Sequence, residues 1–410
     1  MPVAQWLSLA IASLTLLGVA FGRWPLVRVN RASIALVGAA LLVATGVLDI
    51  GRAWSLLDGN TLVLLFSMMI VSAFLAVGGF FRSAVRWAAG RAGHPLGLLA
   101  GLVLTSGLLS ALFLNDTVVL MLTPLVLGLC RALERNPVPY LIALAASANV
   151  GSVATITGNP QNLIIGTQSG ISYLDFVLAL GPVALTGLLV VVGVVVWRYP
   201  GEFLSGRLAR ASLPTVDADR RLLVKSAGVS ALLVAAFALG LPAAASALVA
   251  AALLLVTRRV GSDRVFELIH WDLLVLFAGL FVVTGSLELT GLGSRLVGLV
   301  AALAGAGPAV FAGMVAAASS ILSNVPTVLL LAPAMPELAE PQRAWLMLAM
   351  ASTLAGNLTL VGSVANLIVA EGALREGVVL GFWSYLAAGV PITVLTLLWG
   401  VAWLSFGIGQ

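Results

Sequence analysis

Charge is scarce in this sequence: charged residues make up 9% of the 410 residues, whereas hydrophobic residues make up 61%. A soluble domain usually carries about 25% charged residues, so this chain has too little polar surface to cover a water-exposed globule. The single cysteine, Cys130, excludes a disulfide framework and a multi-cysteine metal site. The chain also has too few alternating, strand-length segments for a membrane barrel, so its spans are expected to be helices.

Apolar stretches of about 20 residues recur along the chain, each long enough to cross roughly 30 Å of hydrocarbon. We predict an all-α polytopic membrane protein with about ten transmembrane helices, two re-entrant hairpins and broken helices, arranged as two inverted repeats. The predicted spans are 4–22, 31–49, 60–80, 137–170, 178–197, 226–241, 243–257, 271–290, 342–371 and 382–405.

The apolar stretches 96–131 and 296–337 differ from the spans because polar residues interrupt them. Basic residues flank both ends of the first stretch, so the positive-inside rule predicts a hairpin that enters and leaves on the cytoplasmic side. The second stretch lacks a basic flank and is predicted to enter from outside. This arrangement puts 18 of the 21 basic residues in cytoplasmic loops, where they indicate topology rather than nucleic-acid binding. Both termini are predicted outside, in a multi-pass protein of the plasma (cell inner) membrane.

The chain divides into two similar halves, 1–198 and 226–410, joined by a polar linker at 199–225. Residues 156–164 align with residues 360–368, with Gly, Asn, Leu and Ile matching. Each predicted half holds five spans and one hairpin, and because five is odd the second half must be inverted. Inverted repeats with broken helices are typical of secondary transporters, which hold substrate near the bilayer midplane. Chance similarity among apolar helices is the alternative interpretation.

Polar residues interrupt both hairpins and two of the spans, and we expect them to meet near the midplane. Freed backbone groups and helix ends could bind an oxyanion, a neutral polyhydroxy acid or a cation with oxygen ligands. The alternative is that these side chains only satisfy helix ends and pack helices together. No arginine or lysine is predicted at this depth. The predicted substrate-binding residues are Asn115, Thr117, Thr157, Gly158, Asn159, Asn162, Ser323, Asn324, Thr327, Asn357, Gly362, Ser363 and Asn366.

Asp116 is the only carboxylate predicted at a hairpin tip. A charge at the bilayer centre costs about 2.5–3.5 kcal/mol on insertion scales, so an unpaired acid there tends to take up a proton. Asp116 is therefore predicted to couple transport to protons or to bind a cation. The alternative role is a cap for the half-helix that follows.

No pattern resembles a nucleophile with its base, and His94 and His270 flank predicted spans rather than forming a site. No nucleotide-binding loop is present, so ATP hydrolysis is not expected in this chain. The sequence therefore predicts neither an enzyme, nor a cofactor, nor a metal site.

Four segments carry a resemblance to a known family: Asn-Asp-Thr-Val at 115–118, Thr-Gly-Asn-Pro-Gln-Asn-Leu-Ile at 157–164, Ser-Asn-Val-Pro-Thr-Val at 323–328, and 356–368. Here the sequence resembles the ion transporter superfamily, and most closely its ArsB-type arsenite/antimonite efflux permeases. The resemblance implies export of arsenite or antimonite in exchange for protons by alternating access. In some relatives a soluble ATPase subunit docks, for which 199–225 is the predicted place.

Other carriers of the superfamily share much of this pattern, so an inorganic or carboxylate anion symporter, or a sodium/proton antiporter, is the alternative. The sodium-coupled dicarboxylate carriers have Ser-Asn-Thr at both hairpin tips, whereas this chain has Asn-Asp-Thr and Ser-Asn-Val. This difference favours protons over sodium. Arsenite near neutral pH is mostly an uncharged trihydroxide, which suits an Asn/Ser/Thr-lined site and needs no thiolate ligands.

Overall fold

The structure is a computed structural model that describes residues 3–22, 29–204, 208, 219–289 and 292–406. Helices account for all regular structure in these ranges. The helices of the first half are α1 (Val3–Phe21), α2 (Arg31–Ala44), α3 (Ile50–Ser55), α4 (Gly59–Val77), α5 (Phe80–Gly90), α6 (Pro95–Leu112), α7 (Asn115–Ala132), α8 (Pro137–Ser152), α9 (Pro160–Gln168) and α10 (Tyr173–Arg198).

A short helix, α11 (Pro200–Phe203), separates this series from a second one in the same order. The helices that follow are α12 (Arg220–Ala238), α13 (Ala243–Leu255), α14 (Ser262–Phe266), α15 (Trp271–Leu289), α16 (Leu292–Gly305), α17 (Pro308–Leu322), α18 (Asn324–Leu331), α19 (Pro341–Ala355), α20 (Val364–Arg375) and α21 (Phe382–Phe406), with a 3-10 turn at Ala332–Glu337. Each helix from α12 to α21 thus has a counterpart among α1 to α10.

Several helices have the length and composition of membrane spans. Within the described residues, seven helices are long and apolar enough to cross a bilayer: α1, α4, α6, α7, α10, α12 and α21. Four shorter apolar helices, α2, α13, α15 and α17, accompany them. Large apolar side chains on α1, α6, α10 and α12 are exposed, as expected for surfaces that face lipid. The predicted all-α polytopic membrane fold is confirmed.

The two spans predicted to be broken each consist of two helices. Residues 153–159 separate α8 from α9, and residues 356–363 separate α19 from α20. In the first hairpin stretch, α6 and α7 meet at Phe113–Leu114, so the polar residues of the tip begin α7. These positions place each polar motif at a helix start, where backbone N–H groups are free.

The stretch 296–337 holds one more helix than the sequence predicts. Helix α16 ends at Gly305, and α17 and α18 alone form the hairpin, with Ser323 between them. The boundary was not visible because small residues, rather than polar ones, separate α16 from α17. Gly307 adopts φ +120°, a conformation that L side chains rarely take. Helix α16 is the counterpart of α5 in the first half.

Small residues bring the broken helix α8 directly against the hairpin helix α6. A Cβ atom added at Gly151 of α8 would overlap the carbonyl of Gly107 in α6. Backbone-to-backbone contact of this kind is typical of packing between membrane helices. Elsewhere, a Cβ at Gly279 of α15 would lie 2.6 Å from the carbonyl carbon of Ala35 in α2. The contact between Gly107 and Gly151 fixes α6, the first helix of the hairpin, relative to the break that follows α8.

Candidate functional site

A cavity of about 40 Å³ lies where four helices begin. The starts of α7 and α18 at the hairpin tips meet the starts of α9 and α20 after the two breaks. Helix starts carry free N–H groups and a partial positive charge, so four of them make a polar site inside an apolar protein. The polar residues that line the cavity are Arg31, Asn115, Asp116, Gln161, Ser323, Asn324 and Ser363.

The first break is held by two asparagines. Asn159 caps α9, because its side chain accepts a hydrogen bond from the backbone N–H of Asn162 at 2.8 Å. Pro160 follows at the first helical position, where its missing N–H costs nothing. Asn162 Nδ2 in turn donates to the carbonyl oxygens of Ser152 at 3.1 Å and Thr155 at 2.9 Å. Carbonyl oxygens at the end of α8 and within the break thereby accept hydrogen bonds from the side chain of Asn162.

The second break repeats this arrangement. Ser363 caps α20 by accepting from the backbone N–H of Ala365 at 3.3 Å. Asn366 Nδ2 donates to the carbonyl oxygens of Gly356 at 2.8 Å and Thr359 at 3.0 Å. The two breaks therefore use the same donor type at matching positions in the two halves.

Asn149, a residue of α8, joins the two halves beside the cavity. Its Nδ2 donates to Oδ1 of Asn357 at 2.9 Å and to Oδ1 of Asn366 at 3.0 Å. Its Oδ1 accepts from Nδ2 of Asn115 and from Oγ of Ser363, both at 3.1 Å. Sequence reasoning did not select Asn149, although a single asparagine in the apolar helix α8 is a signal that could have found it.

Thr353, a residue of α19, makes the corresponding link from the second half. Its Oγ1 accepts from Nδ2 of Asn159 at 3.2 Å and from Nε2 of Gln161 at 3.0 Å. Thr353 aligns with Asn149 in the repeat, so each half contributes one buried polar side chain that holds the other half's broken helix. The sequence did not single out Thr353 either, because a lone threonine is common in apolar helices.

The two hairpin tips are held by different means. At the first tip, the backbone N–H of Asn115 donates to the carbonyl of Gly158 at 2.9 Å, which ties α7 to the first break. At the second tip, Ser319 Oγ donates to Oδ1 of Asn324 at 2.8 Å. Ser323 has φ 75° and ψ 160°, a region that is almost restricted to glycine and costs about 1–3 kcal/mol. Strain is therefore concentrated at a residue that lines the cavity.

Arg31 also lines the cavity, which corrects the expectation that no basic residue lies near the polar breaks. It is the first residue of α2, and Asn30 caps that helix, so the guanidinium lies at a helix start and not in a loop. Arg31 and Asp116 interact electrostatically across the site but do not form an ion pair within the described residues. His270 and Asp272 also lie within electrostatic range of Asp116.

The structure sorts the predicted site residues into distinct positions. Asn159, Asn162, Asn357 and Asn366 hold the breaks, and Gly158 and Gly362 allow close backbone approach there. Thr157 lies away from the cavity, with Oγ1 3.3 Å from the hydroxyl of Tyr173, and Thr327 Oγ1 donates to the carbonyl of Ser323 at 2.9 Å. Thr117 is buried without lining the cavity. Of the predicted site residues, those that line the cavity are Asn115, Asp116, Ser323, Asn324 and Ser363.

Comparison with known proteins assigns this arrangement to a family. Residues 16–355 match the model of the citrate transporter family, CitMHS. The chain belongs to this family. The CitMHS chain is therefore a multi-pass membrane transporter of the ion transporter superfamily, as the sequence motifs predicted. The family match does not identify its substrate.

Relatives of this CitMHS protein cover nearly its whole length. It is 31% identical over 401 residues to an uncharacterized transporter of Mycobacterium tuberculosis, covering 92% of this chain and 94% of the relative. It is 32% identical over 451 residues to the silicon efflux transporter LSI3 of Oryza sativa subsp. japonica, covering 92% and 93%. It is 24% identical over 495 residues to a Dictyostelium discoideum transporter named arsB, covering 91% and 87%.

A solved structure shares the fold. The crystal structure of the Alcanivorax borkumensis YdaH transporter, described as having an unusual topology, superposes with a TM-score of 0.65. The match covers 100% of this chain and 99% of that chain at 18% sequence identity. At that identity the similarity establishes the fold and says nothing about the substrate.

Proposed function

We propose that this protein is a secondary active transporter that exports arsenite or antimonite in exchange for protons by alternating access. The observation that carries the proposal is the cavity at four helix starts, lined by one basic side chain, one acidic side chain, and amide and hydroxyl groups. Its size, about 40 Å³, leaves room for a solute of only a few heavy atoms.

The charges around the cavity favour an uncharged substrate. Arg31 disfavours a bound sodium ion, and ionised Asp116 disfavours a bound anion, because like charges repel strongly where water is excluded. A neutral trihydroxide avoids both penalties and can donate to Asp116 and accept from Arg31 or from helix N–H groups. The amide and hydroxyl groups of Asn115, Ser323 and Ser363 offer further hydrogen bonds.

The names of two relatives support the same substrate class. One relative is named for silicon efflux and another is named arsB. Silicon and arsenic(III) in neutral water are both mainly small, uncharged polyhydroxides. A site that recognises hydroxyl groups around a compact centre would therefore suit both, with arsenite and antimonite as our first choice.

Asp116 is the proposed proton carrier. Its carboxyl lines the cavity and is buried, so its charge is stabilised only by nearby groups such as Arg31. Proton uptake by Asp116 and substrate binding in one cavity would link the two fluxes. The predicted inner-membrane location, the outward termini and an ATPase subunit at 199–225 belong to the same proposal. Residues 205–207 and 209–218 of that linker lie outside the described residues.

A second candidate is a symporter of inorganic or carboxylate anions. Four helix starts around one cavity favour an anion, and the family model is that of a citrate transporter. The two candidates differ in direction, because anion symport would bring the substrate inward together with a cation, either sodium or a proton.

The test is arsenite accumulation in cells that lack their own exporter, comparing the wild type with Asp116→Asn. Asp175→Asn is the matched control, because Asp175 is an exposed carboxylate at the start of α10. We expect lower accumulation with the wild type and with Asp175→Asn than with Asp116→Asn. If cells with the wild-type protein accumulate as much arsenite as empty cells, with expression confirmed, arsenite is ruled out as the substrate. Sodium-dependent citrate or sulfate uptake in vesicles would then support the second candidate.

A further inference from the structure

Helix α5 has two sharply different faces. Phe81, Val85 and Ala88 are buried against the protein. On the other side, Arg82 and Arg86 lie one helical turn apart and are exposed. Trp87 and Arg91 also lie one turn apart; the Trp87 side chain is 61% exposed, and the Arg91 guanidinium lies 4.2 Å from the centre of its ring. We call the surface formed by Arg82, Arg86, Trp87 and Arg91 the α5 basic face.

The positive charge of the α5 basic face is not neutralised within the described part of the chain. Helix α5 contains no acidic residue, and neither its two arginines nor Arg91, which follows it, forms an ion pair there. The neighbouring end of α7 differs: Arg131 pairs with Glu376 at 2.8 Å, and Arg135 pairs with Glu202 at 3.0 Å. The basic side chains of α5 are thus available to a negatively charged partner.

We propose that the α5 basic face binds the anionic headgroups of phospholipids at the membrane surface. Arginines on the polar face of an amphipathic helix are attracted to anionic lipid. An exposed tryptophan beside them is typical of the membrane–water interface, where its ring prefers to lie. Charge and amphipathicity therefore both favour an anionic membrane surface as the partner.

The position of α5 connects this surface to the first hairpin. The ring of Phe113, which forms the turn of that hairpin, lies 6.1 Å from the ring of Phe80 and 6.3 Å from that of Phe81. Two residues after Phe113, Asn115 begins α7 and lines the cavity. Lipid bound to α5 would hold the helix that packs on this turn. The counterpart helix α16 has one arginine, Arg295, so the basic face belongs to the first half alone.

The experiment uses the purified full-length protein in neutral detergent with short-chain phosphatidylglycerol, phosphatidylcholine or inorganic phosphate added. The variant is Arg82→Gln/Arg86→Gln/Arg91→Gln. The matched control is Arg258→Gln/Arg259→Gln/Arg264→Gln, which removes the same charge from the segment around α14. Lipid affinity is read by native mass spectrometry, and thermal unfolding gives an independent check that each variant is folded.

We expect phosphatidylglycerol to bind the wild type and the control variant more tightly than phosphatidylcholine does. Loss of each arginine of the α5 basic face should weaken that preference by about five-fold, so the triple variant should lose most of it. Equal losses in the two triple variants would overturn the assignment to α5. Inorganic phosphate that competes fully with the lipid would show an anion site rather than a lipid surface, and would also overturn it. Neither result depends on what the protein transports.

Discussion

Asn162 and Asn366 perform the same task at equivalent positions in the two halves. Each donates its side-chain amide to two carbonyl oxygens at the end of the preceding half-helix or within the break, at 3.1 and 2.9 Å for Asn162 and at 2.8 and 3.0 Å for Asn366. Since a buried carbonyl without a partner is costly in a membrane protein, these amides allow the chain to be non-helical beside the cavity.

Replacing Asn162 by alanine should therefore destabilise the first break. The carbonyls of Ser152 and Thr155 would lose their shorter hydrogen bonds and keep only those from Asn159 Nδ2 at 3.3 Å and from the Gly158 N–H at 3.4 Å. This costs about 0.5–1.5 kcal/mol for each bond lost, and the start of α9 would lose its position beside the cavity. Asn366→Ala should act in the same way on the second break. We expect lower thermal unfolding temperatures and strongly reduced transport for both variants.

The control for this pair is Asn136→Ala, because Asn136 is an exposed cap at the start of α8. Loss of such a cap costs about 1 kcal/mol, so stability should fall less and transport should be retained. Wild-type stability and transport in Asn162→Ala would show that water satisfies these carbonyls and that the amide is dispensable.

Gly158 and Gly362 offer a graded test of the same region. A Cβ at Gly158 would overlap the carbonyl oxygen of Ser152, whereas a Cβ at Gly362 would lie 3.0 Å from the carbonyl oxygen of Gly356. Gly158→Ala must displace backbone, so it should abolish transport and lower the unfolding temperature more than Gly362→Ala does.

Gly193→Ala is the control for the glycine pair, because a Cβ there meets no atom within 4 Å. It should behave as the wild type. The order of thermal stability should be Gly193→Ala, then Gly362→Ala, then Gly158→Ala. A reversed order for the last two would mean that the first break is wider than its geometry indicates.

The sequence predicts the helical class, the hairpins and the breaks because these features depend on local signals. Long apolar runs require helices, and Asn159 followed by Pro160 is a recognisable helix start. The boundary of α16 was missed because Gly305 and Gly307 end that helix without any polar residue. Apolarity alone cannot divide one apolar stretch into two helices.

The candidate site was predictable only in part, because its remaining members act through long-range contacts. Asn149 reaches Asn357 and Asn366, more than two hundred residues away along the chain. In the sequence, Arg31 is indistinguishable from the basic residues that indicate topology. In the structure it begins α2 and lines the cavity. Neither contact has a local pattern, since both arise from the way the two halves pack together.

Ser323 combines backbone strain with a hydroxyl at the cavity, and two substitutions separate these properties. Glycine relieves the strain of φ 75°, ψ 160°, so Ser323→Gly should raise stability by about 1–3 kcal/mol. Ser323→Ala keeps the strain and removes only the hydroxyl. If the hydroxyl contacts substrate, both variants should weaken substrate affinity, and only the glycine variant should unfold at a higher temperature. Full transport by both would exclude the hydroxyl from substrate binding.

Arg31 and Asp116 should behave as a coupled pair. Removing the Arg31 charge leaves the Asp116 carboxylate with less compensation, so the pH profile of transport should shift in the alkaline direction. Arg31→Gln should show this shift, whereas Arg31→Lys keeps the charge and should show little of it. Asp116 also faces the charges of His270 and Asp272. Two further helices that pack against α7 carry charged residues: α5 has its exposed arginines, and α20 has Glu371 and Arg375.

The double variant Arg31→Gln/Asp116→Asn, compared with the two single variants, completes a double-mutant cycle. It leaves no net charge at the two positions, so its loss of stability should be smaller than the sum of the two single losses by about 0.5–3 kcal/mol, as for residues coupled through a shared cavity. Its transport should no longer respond to a pH gradient, because the proposed proton carrier is gone. Additive losses of stability, or an unchanged pH profile in Arg31→Gln, would show that Arg31 does not act on Asp116. Proton coupling by Asp116 would then have to be explained without a contribution from Arg31.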